Sequence, residues 1–532
     1  MNKYDVIVLG SGGAGLSAAL AAAVNGARVL VIEASSRWGG STSVSAGEVW
    51  VPANHCMSEL GIMDSTDDAL QYCLPNALQP DSGLVETFVR FAPEMAVFVE
   101  ENSPINWRVM TSPDSFAERP GGRASGRHLE VSPIVTGEDG PLDDNFWLSN
   151  YPAIFTNDEV FQHRLLIGGQ IPPEISHDRI KSQRVCTGIG LIVGLMQGCR
   201  SHGVKFQRNT RASRLLFSEN EQVAGVVVKN GCLEEEIRCD HGVILATGGF
   251  EWDETMRSKS PERQMTHPVS PPLHYGDGLS MAEEVGAQVL FNNESWVWPV
   301  FENLNERWSG TQLARNNLIL AERCMPHVLW VNKRGERFVN ESSHNCALAL
   351  AELNPGSPSN LPAWAIFDNQ YRSRYPLAGS MPGEKLSSTV IAATSLADLA
   401  GAAGINKVGF FHSIDRFNEM VTQGKDTDFS RGESAYDRHY GDPSATHPNL
   451  GSIEQAPFFA MPVYLGAVGT KSGARTNELA RVLDESSRPI AGLWAAGNAM
   501  SAIIGPGTIA PGLTLGLALT WGYIAGQDAA SS

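Results

Sequence analysis

The chain has no long apolar run. Its most apolar late stretch, Gly512 to Gly526, is rich in glycine, interrupted by threonines and too short for a bilayer span. Paired-cysteine spacing is missing too. Cys56, Cys73, Cys186, Cys199, Cys232, Cys239, Cys324 and Cys346 form no CxxC or CxxCH, so zinc, iron–sulfur and haem attachment lack support. Reduced, mostly buried thiols in a cytoplasmic protein are the simple expectation. Positive charge is in deficit: 40 Lys and Arg against 58 Asp and Glu leave −18, which argues against nucleic acid. The first strand begins within five residues of the N-terminus, which leaves no room for a signal peptide. No second GxGxxG follows a strand, so direct NAD(P)H use is not expected. Glycine is abundant, 53 in 532 residues, and this length exceeds one ordinary core, which predicts two lobes.

The most informative segment is the first. Val6 to Leu9 has strand character, Gly10, Gly12 and Gly15 follow, and a small-residue helix is expected over Leu16 to Val24. Gly10 permits the turn, Gly12 and Gly13 let backbone N–H groups approach a pyrophosphate, and Gly15 lets helix and strand pack closely. A second strand, Arg28 to Ile32, ends in Glu33, placed where a carboxylate accepts from a ribose hydroxyl. Ala34 and Ser35 continue this edge. A second run of small hydrogen-bonding residues follows, Gly39-Gly40-Ser41-Thr42-Ser43-Val44-Ser45-Ala46-Gly47.

That second run resembles the stretch lying along the flavin in the FAD family that contains fumarate reductases and 3-ketosteroid dehydrogenases. No histidine interrupts it, so non-covalent FAD is implied. Further segments occur in family order: Thr247-Gly248-Gly249-Phe250 after the strands Arg211 to Phe217, Val223 to Lys229 and Gly242 to Ala246, with Ala212 near the adenine; the Asp277 turn in His274-Tyr-Gly-Asp-Gly278; Val331 to Glu341, a strand, charged turn and second strand; Gly469-Thr-Lys-Ser-Gly473; and Gly497-Asn498. Thr508-Ile-Ala-Pro511-Gly512-Leu513 closes the set, and by resemblance the helix N-terminus there faces the flavin pyrimidine.

The resemblance implies an α/β fold. A Rossmann-like FAD-binding domain, discontinuous in sequence (1–287 and 452–532), carries an inserted α+β substrate-capping domain (288–451). Val468, where fumarate reductase relatives carry histidine, and Asn498 in place of their usual glutamate argue against a dicarboxylate substrate.

The chemistry implied is desaturation of the Cα–Cβ bond of a cyclic ketone, steroid-like or smaller and cyclohexanone-like. A base takes the α proton, donors hold the enolate oxygen, and hydride passes to the flavin. The family's three tyrosines are missing here: their segments read Pro113-Asp-Ser-Phe116, Asn340-Glu-Ser-Ser-His-Asn345 and Ala502-Ile-Ile-Gly-Pro-Gly507.

Replacement candidates are Tyr464 and His344 as the base, each with a bland alternative as a core or loop residue, and backbone N–H groups near Gly505 and Gly507 as enolate donors. Phe116, Tyr275, Trp296, Trp298, Asn345, Ile503 and Ile504 are candidate lining residues. The two tryptophans alternate on one strand face, which core packing also explains. Arg123 and Arg127 are candidates for an anionic substrate group. A separate quinone, dye or electron carrier is expected to take the electrons. A reductase working the other way on an enone or other activated alkene stays open, and no metal site is expected.

Overall fold

A run of β-branched residues needs a neighbour on both sides, and Val6-Ile7-Val8 has them: Tyr4–Leu9 is the fourth strand of a twisted sheet. The computed structural model describes residues 3–78, 82–137, 142–231, 233–260, 265–351 and 359–532; Cys232 lies outside them. The sheet runs Arg481–Leu483, Pro489–Ala495, Leu233–Leu245, Tyr4–Leu9, Val29–Ile32, Lys205–Gln207. The last five are mutually parallel and the first is an antiparallel edge. The strands Arg211–Phe217 and Val223–Asn230 extend Leu233–Leu245 as a meander. Parallel strands of this kind are covered on both faces, which explains why Val6 to Leu9 and Val29 to Ile32 are buried throughout.

Helix Gly13–Val24 packs on this sheet with the C-terminal helix Leu513–Ala530 against it. Small residues permit the close crossing: a Cβ on Gly522 would run into Ala14 O, and one on Gly526 into Ala18 O. The apolar stretch noted in the sequence is therefore a buried core helix. Among the described residues no helix is long and apolar enough to cross a membrane.

The second lobe is built on a sheet ordered Ala314–Leu318, Val297–Arg307, Phe458–Ala467, Ala363–Phe367, Val328–Asn332. Alternation sends Val328, Trp330, Ala365 and Met461 to one core, and Leu329, Val331, Ile366 and Ala460 to another under the helices Leu396–Ala403 and Lys407–Gln423. This corrects the expected boundary at 451/452. Phe458–Ala467 is hydrogen-bonded between Val297–Arg307 and Ala363–Phe367, so it belongs to the capping sheet, and the chain returns to the nucleotide lobe only after it.

The strand expected after Lys333-Arg334-Gly335 does not form. Instead Arg337 pairs with Glu341 and Asp426, and Arg431 with Glu341, all buried; these ion pairs fix residues 336–341 as an irregular segment.

Candidate active site

Gly10 has φ +108° and its Cβ would run into Ala246 O; a Cβ on Gly15 would run into Gly10 O. Only glycine tolerates that turn and that approach. At Gly12 and Gly40 a Cβ would meet only ordinary contacts, the nearest at 3.9 and 3.8 Å, and both backbones border open space. That space is a cavity of about 540 Å³ lined by Gly10, Gly12, Gly13, Ala14, Glu33, Ala34, Gly40, Ser41, Thr42, Ser45, Ala46, Ala212, Thr247, Gly248, Asp277, Gly497 and Asn498. Glu33 is anchored by Ser11 N (3.1 Å), Ser11 Oγ (2.6 Å) and Ser35 N (2.9 Å), and Gly13 N donates to Thr42 Oγ1 at 3.0 Å. Thr247 Oγ1 is buried without a hydrogen-bond partner among the described residues, which suits a polar group of a bound dinucleotide. The cradle fits FAD. Gly15, Ser35 and Gly249 stand behind its wall: Gly15 and Ser35 through the contacts just given, Gly249 against Thr470 and Glu251.

A second cavity of about 210 Å³ shares Ser45, Ala46, Val468, Thr514 and Leu515 with the first. Gly47, Pro511, Gly512 and Leu513 line it, so the N-terminus of helix Leu513–Ala530 opens on it. Trp296, Trp298, His344, Asn345 and Gly507 line it as well. Side chains that the sequence did not point to line it too, among them Glu48, Tyr151, Arg323, Tyr436 and Tyr440. Tyr436 and Tyr440 lie four apart on the helix Ala435–Tyr440, capped by Ser434; that spacing places both phenols on one face and was the available signal.

His344 is buried at 5 % exposure. Its Nδ1 shares a 2.5 Å hydrogen bond with Ser115 Oγ, and its ring lies parallel to Tyr436 (centroids 5.2 Å, 6°) and edge-on to Trp298 (5.1 Å, 67°). Nε2 makes no hydrogen bond to a described residue. Burial first, and then the nearby cations Arg323 and His128, hold His344 well below its ordinary 6.5, so it is neutral at pH 7.

Arg323 is buried and forms no ion pair with a carboxylate of the described residues. Its Nη1 donates to the carbonyls of Glu341 (2.9 Å), Ser342 (2.7 Å) and Ser343 (2.8 Å), which fixes the turn that presents His344. Its Nη2 donates to Tyr436 Oη at 3.3 Å. The phenol therefore accepts from a guanidinium and keeps its own proton for another acceptor.

Glu48 opens a buried chain of charges behind the cavity. Its Oε1 is 2.7 Å from His128 Nδ1, whose Nε2 is 3.5 Å from Asp114 Oδ1; Asp114 also accepts from Trp50 Nε1 (2.7 Å) and Arg127 Nη1 (2.9 Å). Burial opposes charge on His128, but Asp114 and Glu48 outweigh it and push the imidazole up to about 9. Arg127 is bidentate to Asp64, and Arg123 reaches Asp68 at 2.6 Å. Both arginines are thus committed to carboxylates and not to a substrate anion.

Further expectations change. Tyr464 lines neither cavity: the alternation that sends Val463 and Leu465 into the core turns Tyr464 to the opposite face, where it stacks on His267 (4.3 Å, 26°). The N–H of Gly505 donates to Asn76 O (2.9 Å) and that of Gly507 to Glu294 Oε1 (2.5 Å), so neither is available to an enolate. Lys471 Nζ pairs with the same Glu294 and donates to Gly507 O (2.7 Å), locking this loop. Phe116 is covered by Arg119, Tyr275 lies against Arg211, and Ile504 bridges to Ala77, all off the second cavity, while Ile503 lines a small crevice beside Trp521. Asn345 does face the cavity, but its amide is engaged by Thr508 N (3.0 Å) and Thr508 O (2.8 Å).

Residues 5–515 match the family described as FAD binding domain. The chain is 36% identical to the 3-oxosteroid 1-dehydrogenase of Mycolicibacterium smegmatis, covering 100% of this chain and 98% of that protein. It is 34% identical to the 4-oxocyclohexanecarboxylate 2-dehydrogenase of Sinomonas cyclohexanicum, covering 99% and 93%. Among solved structures, the 3-ketosteroid delta1-dehydrogenase from Sterolibacterium denitrificans, in complex with 1,4-androstadiene-3,17-dione, superposes with a TM-score of 0.92 at 30% identity over 100% of both chains. The cradle, the two lobes and these full-length matches lead to one conclusion: the chain is an FAD-dependent oxidoreductase of the 3-ketosteroid dehydrogenase family.

Proposed function

We propose that this enzyme desaturates the Cα–Cβ bond of a cyclic ketone, with His344 as the proton acceptor and Tyr436, backed by Arg323, as the carbonyl donor. The relatives named above share dehydrogenation of a ring ketone in their names. The observation that carries the residue assignment is the hydrogen bond from Ser115 that holds His344 in the wall of an aromatic cavity abutting the FAD cradle. These two residues stand in the two segments where the family's first two tyrosines are missing.

With Nδ1–H donating to Ser115 Oγ, His344 keeps its lone pair on Nε2. A buried neutral imidazole is ready to take an α proton at pH 7 without first losing one of its own. The negative charge that develops on the ketone oxygen meets the Tyr436 hydroxyl, whose polarisation by Arg323 strengthens the donated hydrogen bond. FAD, when bound, supplies the acceptor for the β hydride. Trp296, Trp298, Tyr436 and Tyr440 wall an apolar slot that holds the ring and excludes water. The described cysteines are all thiols, which fits a reducing compartment such as the cytoplasm, and a separate quinone, dye or electron carrier takes the electrons.

Anaerobic mixing with a panel of saturated ring ketones tests the reading. Loss of the oxidised flavin absorbance in the wild type, slowed at least a hundredfold or so in His344→Gln, is expected. Reoxidation of the dithionite-reduced enzyme by enones, with no bleaching by any ketone, would overturn it.

A further inference from the structure

The FAD cradle holds a dinucleotide with two negative phosphates, yet its described lining offers only two side chains able to carry positive charge, His274 and Arg315. Arg315 sits on the capping lobe's strand Ala314–Leu318, donating to Asn150 and lying over Trp308. His274 sits at the phosphate loops themselves. Its Nδ1 is 2.7 Å from Glu251 Oε1 and 3.5 Å from Ser41 Oγ. Its ring fills the place a side chain at Gly248 would take, with Nε2 2.8 Å from that Cβ position. Ser41 follows Gly40, whose own Cβ position lies 3.8 Å from Gly12 Cα, so the imidazole stands beside the loops that make the pyrophosphate cradle. Nε2 makes no hydrogen bond to a described residue.

We propose that His274 is an FAD-binding residue: an imidazolium, clamped through Nδ1 by Glu251, that donates Nε2–H to the FAD diphosphate. The clamp has one polarity. A carboxylate at Nδ1 makes that nitrogen the donor and favours the doubly protonated ring, and Ser270 Oγ, donating to the same Oε1 at 2.7 Å, keeps the carboxylate in place. The charged groups facing the ring are Glu251, Glu33 at the end of Val29–Ile32 and Asp277 at the start of its helix, and Asp277 is itself paired with Arg211 at 2.5 Å. Burial opposes the charge, but the Glu251 contact and then the two further carboxylates outweigh it and raise His274 above its ordinary value. With the ring charged, the diphosphate meets a formal cation as well as backbone dipoles.

The inference does not depend on which residue takes the substrate proton, and its test uses no turnover. The readout is spontaneous FAD release from the diluted holoenzyme, followed by the rise in flavin fluorescence between pH 6 and 10, together with the 31P NMR shift of bound FAD. The wild type is expected to release FAD faster as pH rises through the His274 titration, with the diphosphate resonance moving over the same range. In His274→Gln, which keeps a neutral donor at the same reach, release is expected to be about tenfold or more faster at pH 6 and the pH dependence lost. Glu251→Gln keeps the imidazole but removes its clamp, and both profiles are expected to shift to lower pH. A His274→Gln holoenzyme that keeps the wild-type pH profile of release, or a diphosphate resonance that titrates identically in it, would overturn the proposal. If His274→Gln does not fold, the Glu251→Gln profile decides alone: no shift overturns it.

Discussion

Ser115 and His344 stand 229 positions apart in the chain, one from the loop before the strand His128–Val131 and one from the capping lobe, and their side chains meet at 2.5 Å. The contact ties the two lobes together at the wall of the second cavity and leaves Nε2 as the imidazole nitrogen without a hydrogen bond to a described residue.

His344→Gln should therefore keep a normal oxidised flavin spectrum, because no FAD-cradle residue is touched, while the rate of flavin bleaching by ketone falls by roughly 10² to 10⁴. Ser115→Ala leaves the imidazole in place but releases its orientation, and should cost less, about tenfold to a hundredfold in kcat with KM little changed. Rapid mixing of substrate with each variant measures both. Equal bleaching rates in wild type and His344→Gln would remove His344 as the base.

Tyr436→Phe removes the hydroxyl and leaves the ring stacked on His344. A lost enolate donor in a dry site should lower kcat by roughly 10² to 10³. Tyr464→Phe is the matched control. Its ring stacks on His267 away from both cavities, so its kcat is expected to stay within about twofold of wild type. The comparison separates a phenol in the slot from a phenol on the same lobe.

The pH dependence of kcat/KM follows from the sign of the His344 shift. Burial, Arg323 and His128 lower its titration well below 6.5, so the base is already neutral throughout the physiological range. The profile should stay flat from pH 8 down past 6.5 and fall only in more acidic solution. Arg323→Met removes one of the two cations, and the acidic fall should move toward higher pH. A wild-type inflection at or above 6.5 would place the controlling group elsewhere.

The FAD cradle was legible because its determinants are local. Gly10, Gly12, Gly15 and Glu33 lie within one βαβ unit, and each feature, a positive φ, a close approach or a carboxylate at the strand end beside the cavity, falls at a fixed distance along the chain. The second cavity was legible only in part. Trp296, Trp298, His344 and Asn345 were found because they fall beside recognisable segments, whereas Arg323, Tyr436 and Ser115 are brought together by the packing of two lobes, which no spacing encodes. Tyr464 misled for a physical reason: a strand reverses its face at every residue, so proximity in sequence to Gly469-Thr-Lys-Ser-Gly473 said nothing about which side the phenol takes. Gly505 and Gly507 misled because an N–H drawn in a loop looks available until its acceptor, Asn76 O or the Glu294 carboxylate, is seen.

The buried Glu48–His128–Asp114 chain makes the stability of the nucleotide lobe fall on the alkaline side. His128 titrates near 9 in the folded protein and near 6.5 when unfolded, so the native state holds its proton more tightly. A raised pKa stabilises fully below the unfolded value, and the contribution disappears as pH climbs through the folded one. The wild-type Tm should thus decline from about pH 6.5 and lose this component by about pH 9. His128→Gln removes the imidazolium and leaves two buried carboxylates facing each other without it. At pH 6 it should be less stable by about 2 to 3 kcal/mol, and its Tm curve should converge on that of the wild type above about pH 9. Thermal unfolding of both proteins across pH 6 to 10 measures the gap. A gap that stays constant with pH would mean that the two carboxylates hold a neutral ring, and the His344 profile would then lose one of the two cations invoked for it.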